Sequence, residues 1–327
     1  MSPRAEVWEV STDAEYRTRR GRPPVFLGDR FESGITEPDT TNVGARTGRF
    51  DPDEPLVDLV VGDGTGVLQS TVLGEEWHNR RIIGRWKRGA PGQKLVNCEL
   101  TTPEVKPPWT QGLDYVLIDC TSTQGAGTGE PTLLDHVTIN PRSRWVDLYG
   151  VKGGWFRLSR SRITGTVDGF MTFRWDTWVI DSLIHGLVRY ADDTPRHVDG
   201  THNDGGQDQG GNEVWITGTK IDVEQPLNGS LLGVLVTADY AVPKGFHLTD
   251  SWLLGGSVPV NYALAAQPTQ PVIEIVRNRI RLGQKDYGGA VPRAHVMIPS
   301  SSRTHALTTI ADNVDYDTGA PIIIKNG

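Results

Sequence analysis

One short phrase recurs along this chain of 327 residues. It consists of an apolar residue, any residue, a polar residue or glycine, and then a small or polar residue, usually followed two positions later by an apolar one. It reads Leu95-Val-Asn-Cys98, Leu117-Ile-Asp-Cys120 and, in degenerate form, Leu134-Asp-His136-Val137. Clean copies follow at Leu158-Ser-Arg-Ser161, Val179-Ile-Asp-Ser182, Ile216-Thr-Gly-Thr219, Leu248-Thr-Asp-Ser251, Ile275-Val-Arg-Asn278 and Ile310-Ala-Asp-Asn313. A repeat of this kind constrains the fold before any single residue does.

The anchors stand at 98, 120, 136, 161, 182, 219, 251, 278 and 313, so the gap varies from 16 residues (120 to 136) to 37 (182 to 219). Stacked helix pairs hold their period more tightly. In a parallel β-helix each rung must return to one place, while its loops bulge outward at little entropic cost. Apolar residues at period two point inward, and the phrase ends in a bend where a small polar side chain stacks on the one below. The expected fold is therefore an all-β, right-handed parallel β-helix solenoid with a short irregular N-terminal arm. An antiparallel sandwich would show frequent hairpin turns, and Asn-Gly occurs only at Asn228-Gly229 and Asn326-Gly327.

Residues 1–40, with Arg17-Thr-Arg-Arg-Gly-Arg22 and Pro23-Pro24, read as an extended arm; residues 41–327 read as one solenoid. Val67–Leu73 and Arg81–Trp86 read as its first rungs, capping the lower end. The 38 Gly and 21 Pro fit as rung corners. Cys98 and Cys120 share one slot of successive copies, where parallel side chains aim badly for a disulfide; two buried free thiols are expected.

Net charge is −7, which leaves no electrostatic footprint for duplex nucleic acid. No apolar run approaches the roughly 20 residues of a membrane span, and Met1–Val10 lacks the pattern of a signal peptide. Nucleotide-loop, serine-hydrolase and metalloprotease motifs are missing from the sequence.

One segment departs from the repeat: Arg196-His197-Val-Asp199-Gly-Thr-His202-Asn-Asp204-Gly-Gly-Gln207-Asp208-Gln209. In extended chain His197 projects with Asp199, and His202 with Asp204. Four readings fit: a polar rung whose groups satisfy one another, a carbohydrate site using paired carboxylates, a metal site, and a protein contact. No cofactor is implied, and a divalent cation is the one ion such a cluster would take. The catalytic candidates are Asp199, Asp204, His197 and His202. Gln207, Asp208, Trp215, Trp175 and Trp178 are candidates for substrate contact. Four of the ten tryptophans (Trp145, Trp155, Trp175 and Trp178) crowd into residues 145–178; indole faces stack on sugars but also fill cores.

Asp39-Thr-Thr-Asn-Val-Gly44 resembles the leading motif of pectate-lyase-like parallel β-helix proteins of actinobacteria and their phages, and His78-Asn-Arg-Arg-Ile-Ile-Gly84 the rung after it. His197-Val-Asp-Gly-Thr-His202-Asn-Asp-Gly-Gly-Gln207 is similar to a His-x-Asp-Gly-x-His-x-Asp-Gly-x-Gln segment of that group. The resemblance runs from about residue 39 to the C-terminus. It implies a phage minor tail protein, a tail-tip or spike-like part of the virion assembled in the host cytoplasm, with the arm docking to the tail. Its partners would be other tail proteins, host cell-wall glycan and further copies of itself, a trimer being common among such spikes. Enzymatic members carry fuller motifs. Here Asp192-Asp193 and Ile184-His-Gly186 stand in another order, so a polysaccharide lyase or glycoside hydrolase is the alternative, and a purely structural tail part the third.

Overall fold

In a computed structural model the described residues are 37–40, 43, 57–62, 66–83, 85–86, 94–96, 99–101, 121–123, 132–135, 137–140, 149–153, 156–190, 200–223, 231–266, 271–283 and 293–326. Apart from one short helix, Ser300–Arg303, the regular structure among them is β.

From Phe156 onward the chain makes the same three-strand circuit again and again. Phe156–Ser159 lies in sheet A, Arg162–Ile163 in sheet B and Asp168–Thr172 in sheet C; Thr177–Ile180 then returns to sheet A beside Phe156–Ser159. Each later strand pairs in parallel with the strand one circuit earlier. Sheet A continues through Glu213–Thr217, Gly245–Thr249, Val272–Val276 and Thr308–Ala311. Sheet C continues through Asn203–Asp208, Leu231–Val236, Val258–Tyr262 and Val296–Met297. This is the parallel β-helix that the repeat predicts.

The phrase has a position-by-position explanation. Its first residue faces the interior: Leu158, Val179, Ile216, Leu248 and Ile275 align across sheet A, and all are fully buried. Burial of each such side chain is worth about 1.5–3 kcal/mol. Its third residue turns the corner with positive φ at Arg160, Asp181, Gly218, Asp250, Arg277 and Asp312. A β-branched side chain is disfavoured there, which is why the slot holds polar residues or glycine. Its fourth residue forms a ladder along the axis. The Ser161 amide donates to Ser182 Oγ (3.1 Å), the Thr219 amide to Ser251 Oγ (3.2 Å), the Ser251 amide to Asn278 Oδ1 (3.0 Å) and the Asn278 amide to Asn313 Oδ1 (3.0 Å). Each serine hydroxyl in turn donates to the carbonyl two residues back, as Ser182 does to Ile180 at 2.7 Å. Each bond contributes about 1 kcal/mol net, and an unmade one in this interior costs more.

The structure adjusts the sequence reading in three places. In the degenerate copy the ladder position is Val137, whose amide donates to Ser161 Oγ at 3.0 Å, and not position 136. An unread copy starts at Trp77, which aligns with Leu95; Asn79 has the same positive φ as later corners. The stack is also not parallel throughout. Thr121–Thr123 runs antiparallel to both Lys94–Val96 and Thr132–Asp135, reversing sheet A once before the regular coils begin. Val67–Leu68 pairs in parallel with Arg85–Trp86, and Val57–Val60 before it with Arg80–Ile83. Cys98 and Cys120 lie outside the described residues.

Residues 37 and 38 pack against the later coils. Glu37 accepts from Lys220 Nζ at 2.7 Å and from the Tyr316 hydroxyl at 3.3 Å, and Pro38 beside it is buried. No helix among the described residues is long and apolar enough to cross a membrane.

Candidate functional site

The segment singled out by sequence enters sheet C as Asn203–Asp208, and every residue of that strand is buried. His197 and Asp199 lie outside the described residues, whereas His202 is half-buried just before the strand. Asn203 Nδ2 donates to the carbonyls of Val167 (2.7 Å) and Val188 (2.8 Å), tying two neighbouring stretches together. The Asp204 amide donates to Asp168 Oδ1 of the preceding coil at 2.7 Å, and Asp204 Oδ2 accepts from Gln207 Nε2 at 2.7 Å. Gln207 Oε1 accepts from Gln209 Nε2 at 2.9 Å. Asp208 Oδ1 accepts from the amides of Gly210 (3.1 Å) and Gly211 (2.6 Å) and so folds the turn leaving the strand.

Both carboxyls pay electrostatically for this position. Asp204 is 3% exposed and Asp208 1% exposed. Burial pushes each up to about 7, against the opposing hydrogen bonds from Gln207 and the Leu232 amide in one case and the Gly211 and Gly210 amides in the other. Asp204 Oδ1 and Asp208 Oδ2 are buried atoms with no hydrogen-bond partner. Side chains closed off from solvent in this way cannot meet a polymeric substrate. Asp204, Gln207 and Asp208 are accordingly buried in the wall of the solenoid. No group of three or more His, Cys, Asp or Glu among the described residues is placed to hold a metal ion.

The tryptophans separate into two environments. Trp178 and Trp215 align in sheet A and stack at 5.1 Å with an interplanar angle of 7°. His247 continues the column, stacked on Trp215 at 5.1 Å and 5°. Trp178 and Trp215 thus give their faces to each other and to His247 and are only 4% and 5% exposed. His247 hydrogen-bonds Glu213 through Nε2 (3.0 Å) and Glu274 through Nδ1 (2.5 Å). Burial disfavours the charged ring, but the two carboxylates outweigh it and raise the imidazole above its usual range. Glu213, His247 and Glu274 were not legible as a group in the sequence, yet a signal existed. Trp178, Trp215, His247 and Glu274 each stand four residues before an anchor, at 182, 219, 251 and 278.

Trp175 is different: it is 57% exposed. It lies on the turn from sheet C to sheet A, where three successive turns are layered into a corner. The lowest carries Phe173 and Trp175, the middle one is Gln209–Asn212, and the uppermost carries Tyr240 and Val242. Hydrogen bonds join the layers: the Arg174 amide donates to Gly210 O (2.7 Å), the Asn212 amide to Trp175 O (3.1 Å) and the Tyr240 amide to Gln209 O (3.0 Å). Phe173 and Tyr240 stack at 4.9 Å across the middle layer. Tyr240 is 48% exposed and Val242 45%. Around these rings lie groups that can hydrogen-bond hydroxyls. Asp176 accepts from Asn212 Nδ2 at 2.5 Å, and exposed Asp239 accepts from Thr237 Oγ1 at 3.0 Å. Exposed ring surface framed by carboxylates and carboxamides suits a polyhydroxylated ligand better than a wholly apolar one. Sequence reasoning found Trp175 but missed Phe173 and Tyr240, which stand 67 residues apart (173 to 240) and meet only through the stacking of coils.

Comparison with known proteins found no matching family model, no matching curated protein and no matching solved structure. The resemblance to pectate-lyase-like phage proteins rests on the quoted motifs alone.

Proposed function

We propose that this protein is a non-catalytic glycan-binding solenoid, a minor tail component of a phage virion that holds host cell-surface glycan at the Phe173–Trp175–Tyr240 corner. The observation that carries the reading is the division between acids and aromatics. Asp204, one of the two carboxylates the cleavage alternative would use, is sealed inside the wall, as is the neighbouring Asp208, while Trp175 and Tyr240 present ring surface to solvent; the other, Asp199, lies outside the described residues. The virion setting, the tail partners and assembly as a trimer come from the resemblance and form part of the same proposal.

Co-sedimentation with purified, insoluble mycolyl-arabinogalactan tests it. Wild-type protein is expected to pellet with the wall material, and Trp175→Ala to bind at least tenfold more weakly, a loss of about 1.4 kcal/mol or more. Because Trp175 is more exposed than buried, the variant's unfolding free energy should stay within about 1 kcal/mol of wild type. Undiminished retention of both Trp175→Ala and Tyr240→Ala would remove the corner from the account.

A further inference from the structure

We propose that Asp208 is a positioning residue for the aromatic corner: its carboxyl holds the middle turn, and the middle turn sets the separation and tilt of the two aromatic turns on either side. The inference rests on the glycan-binding reading of that corner and goes beyond it, because Asp208 itself is closed off from any ligand.

The geometry is continuous from the buried oxygen to the exposed rings. Asp208 Oδ1 gathers the amides of Gly210 and Gly211. Gly210 O then takes the Arg174 amide from the turn below, and Gln209 O takes the Tyr240 amide from the turn above. There is no slack between the layers. Gly210 has φ of 101°, and a Cβ placed on it would lie 2.0 Å from Ala241 O. A shift of the middle turn therefore displaces the turn that carries Tyr240, and with it the Phe173–Tyr240 stack. Among the described residues, only the Gly210 and Gly211 amides hydrogen-bond this carboxyl. Oδ2 has no hydrogen-bond partner, and neither has the Tyr262 hydroxyl, whose ionisation the Asp208 charge opposes. Thr172, next to Asp208 in sheet C, is engaged with Thr177.

The test compares Asp208→Ala, Asp208→Asn and Trp175→Ala with wild type in two measurements at pH 8. One is amide exchange of Gly210 and Gly211 in protein labelled with 15N-glycine. The other is retention on purified, insoluble mycolyl-arabinogalactan. Asp208→Ala is expected to speed exchange of both amides at least tenfold and to weaken retention five- to tenfold without lowering the unfolding midpoint. Asp208→Asn keeps an acceptor and should restore both protection and retention. Should the Ala variant fail to fold, Asp208→Ser, with one short acceptor, is expected to lie between the two. Unchanged exchange in Asp208→Ala, or faster exchange with undiminished retention, overturns the positioning role. Retention that survives in Trp175→Ala as well overturns the corner reading instead, so the two failures are distinguishable.

Discussion

At pH 8, Asp208→Asn is expected to unfold at a higher denaturant midpoint than wild type, and near pH 4 the two proteins should coincide. The sign follows from proton linkage. Burial raises the Asp208 carboxyl from an ordinary 3.8 to about 7 in the folded state. Below about pH 4 the group is protonated in folded and unfolded chains alike and costs nothing extra. Between 4 and 7 the unfolded chain releases its proton while the folded chain keeps it, so stability falls as pH rises. Above 7 the full penalty applies. Three units correspond to about 4 kcal/mol, and relaxation of the interior brings the expected gain to the order of 2–4 kcal/mol. An asparagine still accepts from Gly210 and Gly211 but has no charge to bury. His247, raised by Glu213 and Glu274, also stabilises the acid side of neutrality and loses that contribution as pH rises through its folded value. It does so equally in both proteins and cancels in the difference. Asp315, lowered to about 2 with Thr318 and His295 as partners, gives its full contribution above about pH 4 and loses it only below, so it is constant across the range compared. Urea unfolding from pH 4 to 8 checks the prediction; a difference independent of pH, or a loss at pH 8, would contradict it.

Gly205→Ala should be among the most damaging single-methyl changes in the chain, costing about 3 kcal/mol or more. A Cβ at Gly205 would lie 2.1 Å from Ile221 Cγ2 and 2.6 Å from Gly233 O. The first neighbour is a side chain across the interior, in sheet B; the second is backbone of the next coil and cannot step aside without breaking the pairing of Asn203–Asp208 with Leu231–Val236. Removing one obstacle therefore relieves only part of the strain: Gly205→Ala with Ile221→Ala should remain well below Ile221→Ala alone. Gly169, one coil earlier, is confined in the same way by Gly205 O at 2.1 Å. Thermal unfolding of the two pairs gives the answer, and an unperturbed Gly205→Ala would mean that the coils are spaced more widely than described.

These two residues show what the sequence could and could not disclose. The ladder was legible because its chemistry is local: one corner geometry and one hydrogen-bond slot select the same residue types wherever they recur. Asn203–Asp208 was legible as an exception, with a polar rung among its readings, but nothing in the sequence selected that reading over the others. Alternation in an extended strand pairs His202 with Asp204, yet it cannot say which side is covered when 17 residues (186 to 202) separate the strand from the one before it. The dense His/Asp spacing looked catalytic because a buried asparagine, two buried aspartates and two space-limited glycines use the same letters as an active site. The aromatic corner depended on register between coils of unequal length. The same holds for the Trp178–Trp215–His247 column, which became readable only once the anchors were used as a ruler.

The most direct measurement incubates wild-type protein and Asp204→Asn with purified, insoluble mycolyl-arabinogalactan and quantifies both bound protein and soluble sugar. Binding without released product, equal in the two proteins, is the result the proposal predicts, because Asp204 is a buried wall residue and the proposed glycan contact is at the corner. Soluble sugar released by wild type and abolished in Asp204→Asn would contradict it, and would place the chemistry in the very strand assigned here to the wall.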